Sequence, residues 1–480
     1  MGASAVTARF REEKRSLAVV TREATYGSES ETHLMGYERG SATAGFRQGI
    51  KKTFSSLQIR NYRLFISGQL VSLSGTWMQT VALGWLVLQL TDSGRAVGIT
   101  LGLQFAPILC FGMYGGIVAD RFDKRRILIT TQSCLAVLAA TLWVITALGV
   151  AELWMIYATT VLIGFVTAVD NPTRQSFVME MVGGKKVPNA VSLNSAVFNA
   201  SRIIGPAIAG LLIATVGLHW TFLLNAITFA AVIIGLARMN PAELIRNLEQ
   251  APRRQGGQIR ESLRYVWTTP RLRQTIFLVT VVATFGLNFS VVLPVMARFT
   301  FGSGAGTFGF LTSCLAAGAL VGALVSAARA KPTRRHLLAS AFAFGALTMV
   351  ASIAPSVPVL ALVLIPAGAA SITFIASANA TLQLTAEPHM RGRVMALHGL
   401  VFLGTTPIGA PFIGWISESW GARWGLATGG GLTLLAASAM ILFVRKDRIE
   451  EKLRELVPPR LLRSDLRTDA GERSSDRVAS

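Results

Sequence analysis

The chain has 480 residues, of which 51% are apolar and only 15% charged, and its mean hydropathy is +0.50. A water-soluble domain of this size carries more charged surface, so the composition excludes a soluble globule. The net charge of +21 does not mark a nucleic-acid binder either, because the cations sit beside long apolar stretches, where they complement anionic lipid. Cys110, Cys134 and Cys314 lie inside apolar stretches without regular spacing or clustered histidines, so no disulfide framework, metal site or cofactor is expected.

Residues 1–63 carry scattered charges of both signs and no apolar core of signal-peptide length. They read as a largely disordered tail, with 46–63 suited to an interfacial helix. Twelve stretches long enough to cross about 30 Å of hydrocarbon follow. They are expected at 64–90, 96–118, 127–149, 153–171, 190–216, 220–238, 274–297, 306–328, 337–354, 358–385, 394–417 and 423–444. The longest connection, 239–273, divides them six and six. It is polar, contains Pro241 and Pro252, and has an amphipathic piece at 259–267 that suits a membrane surface. The organisation expected is therefore a bundle at 64–238, a linker at 239–273, a second bundle at 274–444 and a charged tail at 445–480.

Of the 46 Lys and Arg residues, all but Arg95, Arg202, Arg298 and Arg423 fall in alternate connections or in the two tails. Basic connections stay in the cytoplasm, so both termini are expected there and the chain is expected to be multi-pass in a bacterial-type cell membrane. The halves also repeat. At an offset of 204 residues, Leu193/Leu397, Val197/Val401, Phe198/Phe402, Ile204/Ile408, Gly205/Gly409, Gly210/Gly414, Gly217/Gly421 and Trp220/Trp424 are identical, which makes spans five and eleven equivalent.

Several motifs carry mechanism. Gly-x-x-x-Gly occurs at Gly98/Gly102, Gly112/Gly116 and Gly318/Gly322, giving flat faces on which another helix either packs or slides. The second connection reads Gly115-Gly116-Ile-Val-Ala-Asp120-Arg121-Phe-Asp123-Lys124-Arg125-Arg126. In Gly116, Asp120, Arg121, Arg125 and Arg126 it resembles the loop between the second and third helices of the major facilitator superfamily. Asp123 stands where that family usually has a second glycine. A carboxylate at a membrane exit beside basic residues suits a charge latch between the two halves, with Arg174 expected to pair with Asp120 across the face and Asp170 nearby; topogenic charge alone is the simpler reading. Gly205-Pro206 with Gly210 in span five resembles the corresponding motif of superfamily exporters of the proton-antiport type, and a proline there bends the helix. The stretches Asp170-Asn-Pro172-Thr-Arg174-Gln175 and Asn61-Tyr-Arg63 through Trp85 resemble the branch containing siderophore exporters and macrolide efflux proteins.

Arg202 is the one basic residue deep in an apolar stretch, about 20 Å along its helix from Asn189. A charge there costs at least about 2.5 kcal/mol, so it faces the bundle interior. It either meets an anionic or polar substrate or holds a static partner such as Asp170 or backbone carbonyls. Its repeat mate is Thr406, so the shared scaffold does not demand it. Gln69, Gln79, Asn194, Asn199, Asn288 and Asn379 either line the path or bond neighbouring helices. Asp170 and His398 are the membrane-embedded groups able to carry a proton.

These readings point to an all-α fold of twelve transmembrane helices in two pseudo-symmetric six-helix bundles. The function expected is export of an amphipathic small molecule, drug or siderophore-like, by proton antiport with alternating access. An importer on the same fold and a receptor or channel without alternating access are the rival readings. No catalytic residues, obligate protein partner or nucleic-acid partner are expected beside the substrate, the coupling proton and the bilayer.

Overall fold

The computed structural model describes residues 55–245, 258–328 and 333–456. The sequence expectations for 1–54, 246–257 and 457–480 lie outside the described residues. Twelve helical segments have the length and hydropathy to cross a membrane. The first six are Arg60–Thr91, Gly94–Arg121, Lys124–Ala147, Leu153–Val182, Val187–Thr215 and His219–Ala237. After the short helix Gln258–Thr268, the next six are Pro270–Thr300, Ala305–Ala328, Arg334–Ser352, Val357–Thr385, Arg391–Ser419 and Ala422–Leu456.

Local chemistry explains the boundaries. The Ser93 hydroxyl accepts from Ala96 N at the start of span two, and Thr333 with His336 forms a capping box at span nine. Asp123, the residue departing from the loop motif, accepts from Arg126 N at 3.0 Å and caps span three. The turn thus keeps its function with a cap in place of the usual glycine. Gly217 and Gly421, paired by the 204-residue repeat, end spans five and eleven with φ of +111° and +98°. Both occupy backbone conformations that an L side chain would strain.

Two spans are less regular than hydropathy alone suggests. Span seven contains two π-helical turns, Val282–Gly286 and Met296–Thr300, around the short helix Phe289–Val295. Asn288 sits between them and donates Nδ2 to Thr284 O at 2.6 Å, while Pro294 withholds a backbone donor. Span eleven is interrupted between Gly404 and Thr406, and Pro407 lies in the first turn of its second piece. Span five, by contrast, runs unbroken through Pro206.

The apolar core mirrors the division into halves. Its largest cluster joins residues of both halves, from Met78 and Leu88 to Val291, Leu293, Phe308 and Ile413. At the end bearing the basic connections the core splits in two. Tyr62, Phe65, Leu128, Phe177 and Leu236 form one cluster in the first half; Val266, Leu272, Leu382 and Val394 form another in the second. The surface helix Gln258–Thr268 belongs to this second cluster through Val266, with Tyr265 Oη accepting from Glu387 N and Glu261 paired to Arg393 at 2.6 Å. Its Leu263 and Trp267 remain exposed, as an amphipathic surface helix requires.

Candidate functional site

Two seams hold the halves together, and small residues make both of them. Spans five and eight meet at Gly210 with Gly306 and Gly309, where a methyl at Gly309 would lie 2.5 Å from Pro206 O. Ser313 Oγ donates to Ile203 O at 3.1 Å where that seam ends, next to Arg202. Spans two and eleven meet at Gly94 with Gly414, at Gly98 with the Ala410 backbone, and at Gly102 with Pro407 and Pro411. The repeat is visible in this arrangement. Gly205 packs on the Ser74 backbone of span one, and its mate Gly409 packs on the Thr284 backbone of span seven.

Polar ties reinforce the sealed end. Glu418 accepts from the Ser93 hydroxyl and, at 3.0 Å, from Arg95 N, so a carboxylate of span eleven caps span two. Arg298 and Asp92 pair across the halves at 2.5 Å. At the basic end the bonds of Lys124, Arg125, Arg174 and Arg393 each stay within one half.

There the predicted charge network is instead internal to the first half. Arg174 pairs with Asp170 one turn earlier on its own helix and donates to Gln69 Oε1 at 2.6 Å. Asp170, 1% exposed, also accepts from Thr131 at 2.7 Å and Gln132 at 2.9 Å. The (i, i+4) spacing makes that pairing local, so the Arg174 to Asp120 pairing suggested by the sequence is not formed. Asp120 and Arg121 are exposed at the end of span two, with Gly116 half-buried one turn earlier. Arg125 donates to the carbonyls of Leu236 and Ala237, which close span six, at 2.7 and 2.9 Å. Arg126 is exposed, and Lys124 pairs with Glu180 at 2.7 Å. The tight contact near Gly112/Gly116 is made by Gly115, which lies against the Ala168 backbone of span four.

Arg202 occupies the middle of the molecule. At about 100° per residue, Ser201 and Gly205 point toward span one, Pro206 and Gly210 toward span eight, and Ile204, Ile208 and Leu211 outward. Arg202 falls on the remaining arc, toward the space between the halves. Its guanidinium lies over the Trp77 ring, 5.4 Å from the centroid, and Phe198 meets the same ring edge-on at 5.7 Å. Asp170 is committed to Arg174, Thr131 and Gln132, and is not its partner.

The other predicted path residues divide by their hydrogen bonds. Gln69 serves Arg174, and Gln79 accepts from Asn225 at 2.6 Å, tying span one to span six. Asn199 and Asn288 bond carbonyls of their own helices, Ser195 and Thr284. Asn194 and Asn379 are half-buried, and neither makes a hydrogen bond among the described residues. His398 stacks on Phe402 at 5.9 Å, and its buried Nε2 has no partner. Trp77 and Glu418 were not singled out from the sequence. Trp77 belongs to the span-one stretch already noted, but its partner is 125 positions away.

Two six-helix halves, two glycine seams and a single sealed end define a transporter of the major facilitator type. The solved structures agree on the fold: a bacterial homologue of the human lysosomal transporter Spinster, inward-facing and unoccupied, matches with a TM-score of 0.64 at 14% identity over 80% of this chain and 96% of its own. A D-xylose-proton symporter matches at 0.63 and 13%, over 79% and 96%. Residues 51–473 match the model of the transmembrane secretion effector family, and the chain belongs to that family. Among curated relatives, the staphyloferrin A transporter of Staphylococcus aureus is 30% identical over 55% of this chain and 66% of its own length. The multidrug efflux pump Tap of Mycolicibacterium fortuitum is 28% identical over 75% and 89%, and the enterobactin exporter EntS of Shigella boydii is 24% identical over 58% and 65%.

Proposed function

We propose that this transporter exports an amphipathic small molecule, drug or siderophore-like, from the cytoplasm by proton antiport and alternating access. The observation that carries the reading is the single sealed end. The halves share their core and both seams away from the basic connections, while at the basic end the core divides into one cluster for each half. With the basic connections and both termini in the cytoplasm, this is the state that loads substrate from inside. Relatives named as an efflux pump and an enterobactin exporter support the direction.

In this reading Arg202 and the half-buried Asn194 and Asn379 line the path, with Gln69, Gln79, Asn199 and Asn288 holding its walls. Pro206 and Gly210 form the inner part of the seam that parts on opening outward, and Gly205 holds span five against span one of its own half. Gly116, Asp120, Arg121, Arg125 and Arg126 meet the opposite half when the cytoplasmic side closes, while Asp170 and Arg174 brace the first half. The test is uptake into inverted membrane vesicles. Exporter activity appears as accumulation that an imposed proton gradient drives and an uncoupler abolishes. Accumulation only in right-side-out vesicles would make the protein an importer.

A further inference from the structure

The centre of the molecule holds a cation without a counter-ion. Arg202 is absent from every ion pair and hydrogen bond among the described residues, and no bond to an undescribed residue accounts for it. Of the other charged side chains inside the spans, Asp170 and Arg174 pair with each other. An unpaired guanidinium in an apolar span is strongly unfavourable unless water or an anion meets it. Arg202 remains partly accessible, at the inner end of the seam between spans five and eight.

The surroundings define what fits. Phe198, Arg202 and Gly205 lie at i, i+4 and i+7 on one helix, and Trp77 packs against all three. The cation–π contact with Trp77 holds the guanidinium without engaging its N–H groups, which stay available for a two-pronged contact with a planar anion. The aromatic rings beside it offer an apolar wall. At the repeat-related position stands Thr406, so the pseudo-symmetric site has no such charge.

We infer that Arg202, with Trp77 and Phe198, is an anion-recognition site, and that the transported class is amphipathic molecules bearing an oxyanion, carboxylate or phosphate, next to an apolar or aromatic body. This rests on the transporter reading and narrows its substrate. Cationic amphiphiles gain nothing from the site and are repelled by it.

The test uses purified full-length protein in a neutral detergent and three probes of one shape: pyrenebutyrate, its neutral amide and a pyrene quaternary ammonium. Wild-type protein is expected to bind the carboxylate roughly tenfold or more tighter than the amide, the strength of a charge-assisted hydrogen bond. The cation should bind weakest. Arg202→Gln should remove the preference while eluting as the same monodisperse species, and Arg202→Lys should keep part of it. Trp77→Leu should weaken carboxylate binding severalfold. If phosphatidylglycerol displaces the carboxylate from wild type and leaves Arg202→Gln unaffected, the site stands and a lipid phosphate occupies it. Wild type binding the carboxylate no better than the amide overturns the inference. Vesicle transport separates the two readings. Proton-driven movement of a probe without carboxylate preference sinks only the anion site; carboxylate preference without proton-driven movement of any probe sinks only the antiport reading.

Discussion

At the sealed end, spans two and eleven meet backbone to backbone at Gly94, Gly98 and Gly414, and Glu418 reaches across to cap span two. At the basic end, the charged side chains bond inside their own half: Arg174 to Asp170, Lys124 to Glu180, Arg125 to the end of span six, Arg393 to Glu261. At the sealed end small residues make the contact between the halves, with Glu418 and the Arg298–Asp92 pair as its polar ties, whereas at the basic end these charges serve cohesion within each half. A half braced by its own buried polar network can move as one body, while the surface it shares with its partner stays easy to separate.

Substitutions that respect or violate this division should have graded effects. Asp170→Asn leaves Arg174 with a buried, unpaired charge and should destabilise the protein by about 3 kcal/mol or more. Thermal unfolding of the detergent-solubilised protein reads that loss, and cysteine accessibility should show the same end sealed as before. A shift in which end is sealed would mean that the network also couples the halves. Gly98→Leu pushes a side chain into the Ala410 backbone, which cannot yield. It should oppose sealing by about 1–3 kcal/mol, lowering transport roughly tenfold or more with little change in unfolding temperature. Glu418→Gln keeps a weaker cap and should shift the balance by about 1 kcal/mol toward opening of this end, seen as faster labelling of a cysteine placed at Ala410. Arg298→Ala removes a partly exposed pair and should move the same labelling rate by less than about threefold.

Much of this architecture is legible in the sequence because lipid imposes it. Length and hydropathy locate the twelve spans, and the 204-residue offset finds Gly205/Gly409, Gly210/Gly414 and the turn glycines Gly217/Gly421. The irregularity of span seven is not legible, since Val282–Gly286 is as apolar as any helical turn and hydropathy is blind to which carbonyl an amide chooses. Individual pairings are less legible. Asp170 and Arg174 are one turn apart, yet the sequence drew Arg174 to Asp120 through the loop motif and offered Asp170 to Arg202, so even this local pair emerged only from the packing. Arg202 with Trp77, and Gln79 with Asn225, depend on which helices become neighbours and at what rotation. Sequence places Arg202 at mid-membrane, but only the packing of Ser201, Gly205, Pro206 and Gly210 against their neighbours fixes the direction it faces.

The stripe Gly94, Gly98 and Gly102 recurs at one-turn intervals along span two. A surface of bare backbone has no holes into which particular side chains must be threaded, so two such surfaces can part and rejoin without a search through rotamers. The joint is thus held by shape and van der Waals contact along Gly94, Gly98 and Gly102, and separating it strands no side chain.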